Sequence, residues 1–229
     1  MNIEGLNKVT LLDFPGRVAC TVFTGGCDLR CPFCHNSQLV LAPGLNPIDE
    51  EEIFSMLSRR RGVLEGVAIT GGEPLLQPGL RDFICRVREM GYAIKLDTNG
   101  THPARLSGLL REGLLDHVAM DIKNSPERYP QTVGIDGFDV SPIRESVSVI
   151  MQSAPEYEFR TTVVAQLHDV DSFHGIGELI RGAGKYYLQG FVDSGALISP
   201  GLHAASREDM ERYRDIAAGY VRHAELRGV

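Results

Sequence analysis

Six short apolar runs, each followed by a segment of helical period, constrain this chain more than any other feature. They cover residues 18–24, 67–70, 92–96, 118–122, 159–164 and 186–192. Short, largely apolar runs suit strands covered on both faces, and their alternation with helices points to βαβ units on a parallel sheet. Six units in 229 residues allot about 38 residues to each, whereas a closed eight-unit barrel needs about 250. The expected fold class is therefore α/β: a partial (β/α)6 TIM-like barrel with a parallel sheet, open on one side. A doubly wound open sheet is the alternative that periodicity leaves standing.

Helix starts are legible between these runs. Asn46-Pro47 and Ser141-Pro142 each place a capping residue before a proline at the first helical position. Ser206 to Asp209 resembles a capping box, and Met210, Tyr213, Ala217, Tyr220 and Ala224 then step by three and four along one face. No repeat, low-complexity tract or linker divides the chain, so residues 1–229 are expected to form one domain. The longest irregular stretch, 124–139, is long enough to be a functional loop.

Composition narrows the function classes. Apolar residues make up 43% of the chain, ample for a core, and the net charge of −7 provides no basic field for a nucleic-acid partner. The first residues lack the basic and apolar regions of a secretory signal, and no apolar run approaches the roughly 18 residues that span a bilayer. Five cysteines, three of them crowded together, argue against a disulfide framework and for a reducing, cytoplasmic setting with no membrane partner.

Those three are Cys27, Cys31 and Cys34, directly after the first run. A loop this tight can bring all three sulfurs onto one inorganic centre. One reading is structural zinc, with His35 as a fourth ligand. Another is a four-iron cluster; one that only carries electrons wants a thiolate on each iron. Cys20, in the first strand, and Cys85, in a helix, read as buried small hydrophobes, so a cubane here would keep one iron open for chemistry.

The other unusual residues gather at strand ends. Gly71-Gly72-Glu73-Pro74 ends the second run, Asp97-Thr98-Asn99-Gly100 the third and Asp121-Ile122-Lys123 the fourth. In barrel enzymes these C-terminal ends build the active site. Gly71 and Gly72 would let the backbone approach a ligand, and Glu73 offers a carboxylate for an ammonium group. Asp121 and Lys123, two apart, share a face; Lys123 suits a carboxylate, while Asp97 with Asp121 suits a cation or a ribose. An amino-acid derivative would match this set.

Cys27, Cys31 and Cys34, with Phe33 before the last, resemble the signature of the radical S-adenosylmethionine (SAM) superfamily, and Gly71 to Pro74 resembles its glycine-rich segment. Within it, 10–16, the thiol loop running into His35-Asn36, Asp97 to Gly100 and Asp121 to Lys123 resemble glycyl-radical-enzyme activases; the likeness is strong over 7–123 and weak beyond. The resemblance implies a [4Fe-4S] cluster on the three thiolates, with SAM chelating the fourth iron through its amino and carboxylate groups. Reductive cleavage would yield methionine and a 5′-deoxyadenosyl radical, which takes a hydrogen from a glycine of a partner glycyl-radical enzyme, anaerobic ribonucleotide reductase. A flavodoxin or ferredoxin-type protein would donate the electron. By position, Glu73 would contact the amino group and Lys123 the carboxylate; Phe33 and His35 would lie beside the cofactor. Gly71, Gly72, Asp97, Thr98, Asn99 and Asp121 would complete the cofactor site.

The chain departs from the activase pattern in two places. It has no second cysteine-rich segment between Cys34 and Gly71, and near the sixth strand's end, where activases carry a histidine, Gln189 or Phe191 would have to substitute. Arg160 reaches the site only if its strand end faces it; His168, His174 and His203 read as solvated loop residues, and Arg59-Arg60-Arg61 as a solvated helix end. Two alternatives stand beside the activase: a radical SAM enzyme acting on a small molecule, and a non-catalytic metal-binding or electron-transfer protein.

Overall fold

A computed structural model describes residues 1–193 and 195–229. One sheet carries eight strands in chain order: β1 (Ile3–Thr10), β2 (Ala19–Thr24), β3 (Gly66–Gly71), β4 (Ala93–Thr98), β5 (His117–Asp121), β6 (Glu156–Val163), β7 (Tyr186–Gly190) and β8 (Ala224–Arg227). β1 runs antiparallel to β2, and every later neighbour is parallel. The helices are α1 (Ser37–Leu41), α2 (Glu50–Arg59), α3 (Leu80–Glu89), α4 (Pro103–Arg111), α5 (Tyr129–Val133), α6 (Ser141–Ser153), α7 (Val170–Leu179) and α8 (Arg207–Ala218). β1 and β8 are the two edges of an open sheet, so the fold is the partial barrel expected, with two strands more than the six runs.

The alternation of side chains explains the layers. Val67, Ile69, Ile94, Leu96, Val118 and Met120 have no exposed surface, and Ile53 and Leu57 of α2, Phe83 and Val87 of α3 and Leu106 of α4 are equally buried. Each such side chain contributes roughly 1.5–3 kcal/mol on burial. The intervening strand positions face the barrel interior and include Lys95, His117 and Glu158, each 2% exposed or less.

Helix boundaries differ from expectation where tertiary contacts intervene. α2 is capped by Asp49, whose side chain accepts from the Glu51 N–H, because Ile48 is held in a bridge to Ile3 beyond Asn46 and Pro47. Ser141 is the first helical residue of α6 instead of its cap; Asp139 accepts from both its N–H and its hydroxyl. Ser206 does cap α8, yet the stripe ends at Ala217: Tyr220 lies past the helix and Ala224 opens β8. The stretch 124–139 contains α5 and is largely packed, with Asn124, Tyr129 and Val133 buried.

The segment 10–16 lies at the barrel's other end. It turns between β1 and β2 beside the strand starts, where Phe14 is 2% exposed and packs edge-on to His117 at 6.1 Å. A Cβ at Gly66 would stand 2.8 Å from the Phe14 ring, and the Asp13 carboxylate accepts from the Thr21 hydroxyl. This motif closes the floor of the barrel and does not border the cleft at the rim. No helix among the described residues is long and apolar enough to cross a membrane.

Candidate active site

Because β2 to β5 are parallel, their C-terminal ends deliver their loops to one rim. A cleft partly open to solvent lies there. Cys27, Cys31 and Cys34 border it together with Phe33 and His35; Gly71 and Gly72 come from β3, Asp97, Thr98 and Asn99 from β4, and Asp121 and Lys123 from β5. Twelve of the fourteen residues singled out from sequence thus meet around one space. Arg160 of β6 joins them, which the sequence left open.

Glu73 and Gln189 do not border it. Glu73 has no exposed surface; it accepts from the Leu75 N–H, the Thr98 hydroxyl and the Asn99 N–H, so both carboxylate oxygens are used. Burial pushes its pKa up to about 7 despite these bonds. Gln189 pairs with Arg227 in the β7–β8 ladder, while Phe191 stacks on His35 at 5.7 Å.

The glycines owe their identity to the chain itself. Gly71 has φ +122°, and a Cβ there would stand 2.3 Å from Thr24 N; one at Gly72 would stand 2.0 Å from Gly26 O. The close approach expected toward a ligand is made to the root of the thiol loop, where Gly72 N–H donates to Thr24 O and Glu73 N–H to Gly26 O. Two other segments brace the same loop. Arg30 N–H donates to Val133 O, and Ser199 N–H beyond β7 donates to Pro32 O.

The floor of the cleft is an unbroken chain of charge. Lys95 pairs with Asp97, Arg160 bridges Asp97 (3.2 Å) and Asp121 (2.9 Å), and Lys123 lies 2.9 Å from Asp121. The neighbouring cations hold Asp97 and Asp121 below the usual carboxylate range against the effect of burial, and the carboxylates hold Lys123 and Arg160 charged. Lys123 is further fixed through its backbone. Its N–H donates to the Tyr129 hydroxyl, and its carbonyl accepts from His168 Nε2. His168, read as solvated, is 3% exposed and buttresses the site; Val164 N–H donating to Nδ1 assigns the Nε2–H tautomer. His203 is exposed, as expected; Cys20 is fully buried, and Cys85 is half-buried on α3.

Burial raises the Cys27 thiol to about 12 and Cys31 to about 11, so both stay protonated until a metal replaces the proton. The three sulfurs border the cleft without converging on one point: among the described residues, no three His, Cys, Asp or Glu side chains are grouped to hold a single ion. Three thiols around one roomy cleft fit a cuboidal cluster, and the polar strand ends beside them fit an amino-acid cofactor.

Comparison with known proteins agrees. The model of the Radical SAM superfamily matches residues 21–153, more than half of the chain. The chain belongs to the radical SAM superfamily. Membership implies use of SAM and a [4Fe-4S] cluster, and makes the chain an enzyme. A protein of Methanocaldococcus jannaschii named as a glycyl-radical enzyme activating enzyme is 30% identical over 193 residues, 82% of this chain and 79% of that one. The pyruvate formate-lyase-activating enzyme of Clostridium pasteurianum is 33% identical over 53% of this chain and 52% of its own. Among solved structures, QueE from Escherichia coli shares the fold with a TM-score of 0.54 at 17% identity, covering 98% and 92% of the two chains. TYW1 with a lysine-pyruvate adduct bound gives 0.63 at 14%, covering 88% and 73%.

Proposed function

We propose that this radical SAM enzyme acts on a polypeptide, taking a hydrogen from a glycine of a partner glycyl-radical enzyme, with anaerobic ribonucleotide reductase the first candidate. The observation that supports it most is the meeting of Cys27, Cys31 and Cys34 with the polar ends of β3, β4 and β5 around one cleft in an open barrel. When bound, the cluster and SAM supply a one-electron cleavage that yields a 5′-deoxyadenosyl radical, the electron coming from a flavodoxin or ferredoxin-type donor. The protein supplies orientation and exclusion of water. Lys123, held by Asp121, Tyr129 and His168, is placed to take the cofactor's carboxylate. Glu73 acts from beneath, fixing the Thr98 hydroxyl and the Asn99 backbone on the rim. Phe33 and His35, the latter backed by the Phe191 ring, form an apolar and aromatic wall. The residues bordering the cleft come from β2 to β6 and their loops, and a glycine-bearing loop entering past β7 and β8 has little side chain to exclude.

A second reading is a radical SAM enzyme acting on a small molecule. The Arg160 guanidinium bordering the cleft favours it, since it could serve a small polar substrate. The comparisons as a whole stand nearer to this broader class than to a reductase activase in particular. The test is electron-spin resonance: the protein with SAM and dithionite should raise a glycyl-radical signal in the candidate reductase. Cleavage of SAM without that signal in glycyl-radical enzymes would move the assignment to a small substrate. Stoichiometric zinc with no cleavage would leave only a non-catalytic metal protein.

A further inference from the structure

Cys27 differs from the other two thiols in what surrounds its sulfur. The Leu29 backbone N lies 3.4 Å from Sγ and donates to it, and the side-chain amide of Asn99 lies 3.7 Å from it. Among the described residues, no side chain donates to the sulfur of Cys31 or Cys34. The Asn99 amide has only one possible orientation. Its Oδ1 accepts from both the Thr101 N–H (2.9 Å) and the Thr101 hydroxyl (2.7 Å), which assigns the oxygen and turns the NH2 toward the thiol loop. Its Nδ2 lies 2.9 Å from Asp28 Oδ1 and 3.7 Å from Cys27 Sγ, and that Asp28 oxygen is itself 3.9 Å from the sulfur. Asn99 is itself 6% exposed, and its backbone N–H is held by Glu73 at 2.7 Å. The glycine-rich segment, the end of β4 and the first thiol are thus joined in one relay. Its last link is a donor aimed at sulfur.

We propose that Asn99 is a positioning residue that sets the reduction potential of the cluster through its hydrogen bond to the Cys27 sulfur. The inference deepens the reading above and rests on a cluster held by these thiols. Reduction adds negative charge that spreads onto the ligating sulfurs, and a donor fixed beside one of them stabilises the reduced form more than the oxidised form. Asp28 lies beside the same sulfur and works the other way. Asn99 donates to both groups, so one oxygen of that carboxylate is tied to the same amide, while the other lies 3.2 Å from His102 Nε2 without a hydrogen bond.

The experiment is a potentiometric titration of the anaerobically reconstituted protein, followed by electron-spin resonance without SAM, in wild type, Asn99→Ala and Asn99→Asp. Asn99→Ala removes the donor and should shift the midpoint to a more negative potential. Asn99→Asp keeps the shape and the Thr101 contacts while adding an anion near sulfur, and should shift it further in the same direction. A merely structural asparagine would leave the potential in place even if stability fell. Midpoints of both variants at the wild-type value, or a positive shift in Asn99→Ala, would overturn the inference. So would failure of both variants to take up iron, which would make Asn99 a requirement for assembly. A wild type that binds no four-iron cluster would defeat the underlying reading, and that outcome is visible without any variant.

Discussion

Glu73 is a carboxylate with no exposed surface and three donors, the feature that most sharply separates this site from a row of ligand contacts. Burial raises its pKa from an ordinary 4.5 to about 7, so the folded state binds its proton more tightly than the unfolded state does. Stability from this group is therefore greatest at low pH and falls as pH rises from about 4.5 to about 7, by about 3 kcal/mol at most. Glu73→Gln should abolish that slope; denaturant titrations at several pH values compare the two proteins. The variant should also be less stable at low pH, since its NH2 must face a backbone N–H that now meets oxygen. The thiols give the second test. Cys31→Ala should take up less iron and lose SAM cleavage, whereas Cys85→Ala, on α3 away from the cleft, should keep both; equal loss would mean the ligands are misassigned. At this scale the sequence showed the chemistry of the site well, because cysteine spacing and strand-end carboxylates are local signals. It did not show that Glu73 turns inward or that His168 is buried, because both depend on chain that arrives from a distant element. Lys95 was hidden too, although its place two residues before Asp97, on the same strand face, was the available signal.

Among the elements, three strand ends are tied together by one side chain. Arg160 on β6 reaches Asp97 on β4 and Asp121 on β5 from a position 14% exposed. Removing one partner from a buried network leaves charge uncompensated, at about 3–5 kcal/mol for a fully buried pair and less where solvent reaches Asp121, which is 32% exposed. Arg160→Ala should destabilise the protein by about 2–4 kcal/mol in chemical denaturation. A loss below about 0.5 kcal/mol would show that solvent screens the bridge as it does a surface pair. The six central strands were legible because each is a compact apolar run bounded by turn residues. β1 and β8 were not. Ile3–Thr10 carries Gly5, Asn7 and Lys8 as an edge strand can, and the three-and-four stepping of α8 runs on in the sequence to Ala224, although Gly219 and the turn after it end the helix and leave Ala224–Arg227 to form β8. The motif at 10–16 was legible as a signature while its place was not: a resemblance marks residues, and only the hairpin's direction sends Phe14 to the floor.

For the whole molecule, ligand binding and stability are linked, and the open barrel makes the link measurable. The segments that border the cleft come from β2, β3, β4, β5 and β6, so a cofactor bridging the thiol loop and Lys123 touches elements that otherwise meet only through the sheet. A ligand that binds only the folded state adds about 2.7 kcal/mol at a hundredfold excess over its dissociation constant. For a chain of this size each kcal/mol moves the melting temperature by about 2–4 °C. SAM at that excess should therefore raise the melting temperature of the cluster-loaded protein by about 5–10 °C. Lys123→Ala should lose most of the rise, because the cofactor's carboxylate then loses the cation placed for it and the remaining one, Arg160, is held by Asp97 and Asp121; the unliganded variant should also melt lower, as Asp121 keeps only Arg160. The same rise in protein stripped of iron would place SAM in the cleft without the open iron, and would contradict chelation as the mode of binding. A rise confined to the loaded wild type would tie the thiol loop, Lys123 and the cofactor into one site.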